Sequence, residues 1–170
     1  MTDIFISVGR ISASEEDDFL HAVENILKSH GLNPRTVGRT DFADENPFQK
    51  VLHVMKECSG IIVIASERMV FERGIEFPKS IEKTGLRQVF MPTIWNQIEA
   101  AMAYALHLPM LVIAESSLRP DGFLEREYDW LVLRWGDLLP EHLNSAEFLS
   151  VFEKWKTKVA DFAGRNQHLD

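Results

Sequence analysis

Apolar and polar positions alternate in blocks along the chain. Ile4 to Val8 (IFISV) is a short apolar, largely β-branched run closed by Gly9, which predicts a strand buried on both faces. Ser14 predicts the N-cap of a following helix. Glu15 to Asp18 are acidic where a helix N-terminus favours acids, Phe19, Leu20, Val23, Ile26 and Leu27 form an apolar stripe, and Gly31 ends it. Leu32 to Val37 reads as a second, weaker strand. A polar loop from Asp41 to Asn46 leads to Pro47, placed for the first turn of a helix in which Phe48, Val51, Leu52 and Met55 repeat at helical spacing.

Gly60 introduces the clearest strand, Ile61 to Ala65. The texture then changes. From Phe71 to Phe90 the chain is charged, broken by Gly74, Pro78 and Gly85, and without sustained period, so 71–90 reads as an inserted loop or lid. A helix through Trp95 follows, Pro109 separates it from a strand at Met110 to Ala114, and a last strand is expected within Trp130 to Leu133. Phe148, Phe152, Trp155, Val159 and Phe162 step by four, three, four and three, the mark of a core-docking helix over 146–163. Strands alternating with helices predict one α/β domain over 1–170, three-layered and flavodoxin- or Rossmann-like, with a mostly parallel sheet of about five strands. Such sheets bind ligands beyond the carboxyl ends of their strands. Here that means the loops after Val8, Val37 and Ala65 and the start of the Trp95 helix.

Composition narrows the function classes. A length of 170 residues with 45% hydrophobic content suits a single domain with a substantial core. A formal charge of -8 argues against a dedicated nucleic-acid or anionic-membrane surface. Cys58 is the sole cysteine, so no internal disulfide forms and a reducing cytoplasm is the expected setting. The N-terminus lacks the basic start and long apolar run of a signal peptide, and no segment reads as a membrane span. The six histidines are scattered away from metal-ligand spacing, so no metal site is expected. SVGRIS after the first strand holds one glycine, not the Gly-x-Gly-x-x-Gly of dinucleotide-binding dehydrogenases. Neither Ser7 nor Cys58 has a sequence-evident activating partner for nucleophilic hydrolysis.

One residue stands against its surroundings. From Pro92 to Ile113 (PTIWNQIEAAMAYALHLPMLVI), with His107 neutral, Glu99 alone is charged, and its helical neighbours are Trp95, Asn96, Met102 and Ala103. A lone carboxylate on such a face needs a partner: an internal arginine, a loop backbone, or a ligand.

The order of DIFISV, RTDFADENP, GIIVIAS and WNQIEAAMAYA, over Asp3 to Ile113, resembles the Toll/interleukin-1 receptor (TIR) domain and the related nucleoside 2-deoxyribosyltransferase-like proteins. The resemblance implies cleavage of the bond between a sugar carbon and a base nitrogen in NAD, or in another nucleotide or nucleoside, with Glu99 as the catalytic carboxylate. It implies a substrate rather than a cofactor, a homo-oligomer, and a role as an antiphage or stress effector. Trp95 would wall the pocket and Asn96 would hold a sugar hydroxyl. Ser7, Gly9 and Arg10, then Arg39 and Asp41, would border the ligand, with Ser66 and Arg68 after the third strand. Asp41, Asp44 and Glu45 read first as a capping cluster and second as ribose contacts. The sequence departs from the TIR pattern in the 71–90 insertion and in the lack of a glycine after the proline of the second loop. A competing reading is a non-catalytic module that binds a nucleotide signal or a partner protein.

Overall fold

The structure is a computed structural model and describes residues 1–41, 46–125 and 129–166. Five strands, β1 (Thr2–Val8), β2 (Leu32–Arg35), β3 (Gly60–Ala65), β6 (Met110–Glu115) and β7 (Leu131–Trp135), form one parallel sheet in the order β2-β1-β3-β6-β7. Its register pairs Ile4 with Gly60, Ile61 with Met110 and Leu111 with Leu131. This is the flavodoxin-like order, in which the chain winds to one side of β1 and then back to the other. The reversal falls between β1 and β3, and there the helices diverge and leave a crevice.

The period of two along the central strands sorts the core into halves. Ile4 and Ile6 of β1, with Ile62, Ile64, Leu111 and Ile113, face α1 (Ser14–Ser29) and α4 (Ala146–Asn166), meeting Phe19, Leu20, Leu27, Phe148, Phe152 and Trp155. Phe5, Ile61, Val63, Met110 and Val112 face α2 (Pro47–Glu57) and α3 (Ile94–Ala105), meeting Val51, Val54, Met55, Ala100 and Ala103. Ser7 shares the parity of Phe5, so it points toward α3. That one polar position within the apolar run Ile4–Val8 lies where the crevice opens.

Two expectations are corrected. The 71–90 segment is no loop but most of an antiparallel hairpin, β4 (Met69–Glu76) with β5 (Thr84–Met91), separate from the main sheet. Its alternation was masked by charges on both faces, because a hairpin standing off the body has little apolar surface to bury. The N-cap of α1 is Ala13, with no side-chain cap, and Ser14 is already helical. The carboxylate of Glu16 reaches back instead, accepting from the Ser12 backbone N–H at 2.7 Å and from its hydroxyl at 3.1 Å. Asn46 caps α2 through the Phe48 N–H at 3.0 Å, with Pro47 next, and Thr93 caps α3 through the Trp95 N–H at 3.3 Å.

The C-terminal helix docks on the amino ends of β3 and β6. Trp155, fully buried, donates its indole N–H to the Pro109 carbonyl at 3.0 Å. Gly60 lies directly beneath: a Cβ there would stand 2.7 Å from Val159 Cγ2 and 3.3 Å from the Trp155 ring. Gly60→Ala is therefore expected to lower stability by roughly 1–3 kcal/mol through overpacking, measured by urea unfolding.

Candidate active site

A cavity of about 500 Å³ occupies the crevice. The β1–α1 loop supplies Gly9, Arg10 and Ile11, the turn after β2 supplies Thr36, Val37, Gly38 and Arg39, and α2 supplies Pro47 and Val51. The start of α3 closes the far side with Thr93, Trp95 and Glu99. Its volume lies within the range of small-molecule sites.

Glu99 is 8% exposed. Among the described residues no cation lies within ion-pairing distance of it, so the arginine lock that would make it structural is missing. Burial raises its carboxyl from an ordinary 4.5 to about 7, and the Ser7 hydroxyl, which favours the charged form, partly opposes that rise. Behind Ser7 stands Asn96. Its side-chain amide donates to Ser7 Oγ at 2.9 Å and to the Ile64 carbonyl at 3.3 Å, leaving the serine proton free to turn to Glu99. Both residues are almost completely buried. Ser7→Ala removes the polar support that, among the described residues, acts on the Glu99 charge, and the carboxyl is expected to titrate above 7, measured by carbon-13 NMR of labelled glutamate.

The structure brings Gly9, Arg10, Arg39, Trp95 and Glu99 together around the cavity. Ser7 is fully buried and supports Glu99 without lining the cavity, and the remaining candidates lie elsewhere. Asn96 faces Ser7 and the sheet, out of reach of a sugar hydroxyl. Asp41 is paired with Arg35, its oxygens 2.5 and 2.9 Å from the guanidinium nitrogens, and this bidentate bond holds its carboxyl below the usual range. Ser66 and Arg68 border a narrow cleft beyond Gly9, where both meet Glu16, Ser66 at 3.0 Å and Arg68 at 3.4 Å. Gly9 is the thin wall between cleft and cavity, since a Cβ there would stand 2.9 Å from Arg68 Nη2. Asp44 and Glu45 lie outside the described residues.

The two cavity arginines differ. Arg39 is engaged by Asp17 at 2.8 Å and Glu24 at 3.4 Å. Arg10 is exposed at the rim and, among the described residues, meets no carboxylate. Thr36 was not singled out in the sequence. It is 5% exposed, lines the cavity, and its buried hydroxyl oxygen has no hydrogen-bond partner among the described residues. Thr93 was missed too, although a threonine before an apolar helix is a readable cap signal. Trp95, 37% exposed, leans on Phe48 with ring centres 5.1 Å apart. Cys58 is buried and its thiol is pushed up to about 12, chiefly by burial, which leaves it inert. No helix among the described residues is long and apolar enough to cross a membrane.

No family model matches the sequence, and no curated protein matches it by sequence. Solved structures match it in shape. The CMP N-glycosidase BcmB of Clostridium botulinum superposes with a TM-score of 0.51 at 11% identity, covering 81% of this chain and 91% of that one. A 2-deoxyribosyltransferase from Bacillus psychrosaccharolyticus aligns over 88% of this chain and 96% of its own, at 12% identity and a TM-score of 0.48. With its parallel sheet, flanking helices and crevice at the β1/β3 reversal, the chain shares the fold of the CMP N-glycosidase.

Proposed function

We propose that this chain cleaves the N-glycosidic bond of a nucleotide, with Glu99 as the catalytic carboxylate. The observation that carries the proposal is a buried acid, unpaired by any cation among the described residues, opening onto a cavity large enough for a nucleotide. Breaking a bond from C1′ to a base nitrogen builds positive charge on the sugar. An ionised carboxylate held in a site of low dielectric stabilises that charge, or bonds to C1′ as the base departs with the bond's electron pair. Water then attacks C1′, releases the sugar and frees Glu99; a second base in place of water makes the reaction a transfer.

The cavity walls suit the remaining parts of such a substrate. Trp95, backed by Phe48, offers a face on which a base can stack. Thr36 offers an unsatisfied hydroxyl to the sugar or its phosphate. Among the described residues of the cavity, Arg10 is the cation free to take a phosphate, because Arg39 is already shared between Asp17 and Glu24. Arg10→Ala is accordingly expected to raise KM for a nucleoside monophosphate about tenfold or more while leaving KM for the matching nucleoside unchanged, measured by initial rates.

The test is base release. Purified chain is incubated with CMP, other nucleoside monophosphates, free nucleosides and NAD, and the freed base is followed by chromatography. Release from a nucleotide, lost in Glu99→Gln, is the expected result; no release from any of them overturns the proposal. Release of nicotinamide from NAD would extend it to the antiphage or stress effector role that the TIR likeness implies, exercised in a reducing cytoplasm.

A further inference from the structure

The chain turns from β1 into α1 through residues 9–13, and this loop carries Arg10 to the cavity. Among the described residues the backbone N–H groups of Arg10 and Ile11 donate to nothing, so hydrogen bonds of their own do not fix these two residues. The hold comes from Glu16, in the first turn of α1. One of its carboxylate oxygens takes the Ser12 N–H at 2.7 Å and the Ser12 hydroxyl at 3.1 Å. The other takes the Ser66 hydroxyl at 3.0 Å and lies 3.4 Å from the Arg68 guanidinium. One half-buried side chain thus ties the loop to the carboxyl end of β3 and to the root of the hairpin.

Arg68 presses on the same loop from behind. Its backbone N–H is fixed to the Met91 carbonyl at 2.9 Å, and its Nη1 donates to the Ser12 hydroxyl at 3.2 Å. Gly9 fits against the guanidinium for want of a side chain, since a Cβ would stand 2.9 Å from Nη2 and 3.3 Å from Nε. Burial favours the neutral form of Glu16, yet the Ser12 N–H, the Ser66 hydroxyl and Arg68 outweigh it and hold the carboxyl below its ordinary 4.5. The carboxylate is therefore charged, and only the Gly9 wall separates it from the cavity. By its field alone, such a charge weakens the binding of a phosphate.

We propose that Glu16 is a positioning residue for the phosphate of the substrate. It touches no substrate atom; by fixing Ser12 it sets the course of residues 9–11, holding Arg10 at the cavity rim where a phosphate meets it. The inference rests on the nucleotide reading above and adds to it the residue that builds the phosphate site. The role needs an acceptor at Ser12 rather than a charge, and a glutamine in a capping box accepts from the same N–H. Field and geometry therefore predict opposite signs. Removing the side chain tightens phosphate binding through the first and loosens it through the second.

Calorimetric titration of CMP, cytidine, AMP and adenosine into the full chain carrying Glu99→Gln reads affinity without turnover. Adding Glu16→Ala is expected to weaken the nucleotides about tenfold or more and to leave the nucleosides unchanged. Adding Glu16→Gln instead is expected to keep most of the nucleotide affinity. Glu15→Ala, which removes an exposed acid from the same turn, is expected not to weaken it. With Glu99 restored, the Glu16→Ala effect should appear as a rise in KM for the nucleotide rather than a fall in kcat. Far-UV circular dichroism checks folding; should Glu16→Ala be unfolded, Glu16→Asp takes its place, keeping the charge but falling a methylene short of Ser12, with the same selective loss expected. Nucleotide and nucleoside weakened alike, a nucleotide affinity unchanged or improved by Glu16→Ala, or glutamine as damaging as alanine overturns the proposal. Base release without the selective loss removes Glu16 from this role and leaves the reaction standing. The selective loss without base release removes the reaction and leaves Glu16, and a chain that binds none of the four compounds removes both.

Discussion

Glu99→Gln is expected to lower kcat for base release by on the order of 10³-fold or more, with KM for the nucleotide little changed. The amide keeps the size and hydrogen-bonding reach of the carboxyl, so the cavity and the substrate contacts of Arg10, Thr36 and Trp95 persist. What vanishes is the negative charge, and that charge interacts chiefly with the sugar cation of the transition state. The wild-type pH profile follows from the same group. With its carboxyl at about 7, the unliganded protein holds the active, ionised form in only half its molecules at neutrality. The value of kcat/KM should rise through pH 7 to a plateau and fall about tenfold per unit below it. Steady-state rates from pH 5 to 9 on both proteins check the pair of outcomes. Wild-type activity that is flat through this range, or a glutamine variant that retains activity, removes Glu99 from its role.

The same carboxyl should make the wild-type protein less stable in alkali than its own glutamine variant. Glu99 titrates near 7 in the folded state against 4.5 ordinarily. Between those values the native state holds a proton that the unfolded chain has released, so unfolding free energy falls as pH rises from about 4.5 through 7 and then levels off. The shift corresponds to about 3 kcal/mol lost by pH 8. Glutamine carries no such proton, and every other titrating group is common to both proteins. Near pH 4.5 the two should melt together; by pH 8 the variant should melt higher by roughly 6–12 °C. Calorimetry across that range decides it, and a constant gap would show that burial does not hold the carboxyl up. The two results together describe one trade, in which stability above neutrality is given up for a charge placed ahead of the reaction.

The sequence made the sheet legible because each central strand is an unbroken apolar run and each helix carries a stripe of the right period, both consequences of burial. It made Glu99 legible for the converse reason, as a charge where burial should forbid one. What it concealed depends on the third dimension. The hairpin's strands bury little, so no apolar alternation marks them, and its arginines face each other only because of register. Asp41 reads first as part of a capping cluster and second as a ribose contact, whereas Arg35 has claimed it through two short bonds. Asn96 sits one turn from Glu99 yet faces inward, since only the parity of β1 brings Ser7 beneath it. Thr36 is an ordinary residue in the sequence and is distinguished by a buried hydroxyl oxygen that has no hydrogen-bond partner among the described residues.

The positions of two tryptophans give the molecule its own optical reporters. Trp155 is sealed at the amino end of the sheet, opposite the crevice, and its indole reaches water only when α4 detaches, so a red shift of its emission times unfolding. Trp95 stands partly open at the crevice wall, where a stacked base would quench it while the fold is intact. With Trp130 and Trp135 replaced by phenylalanine, quenching without a red shift therefore separates occupancy from melting in one label-free fluorescence titration, before any substrate has been turned over.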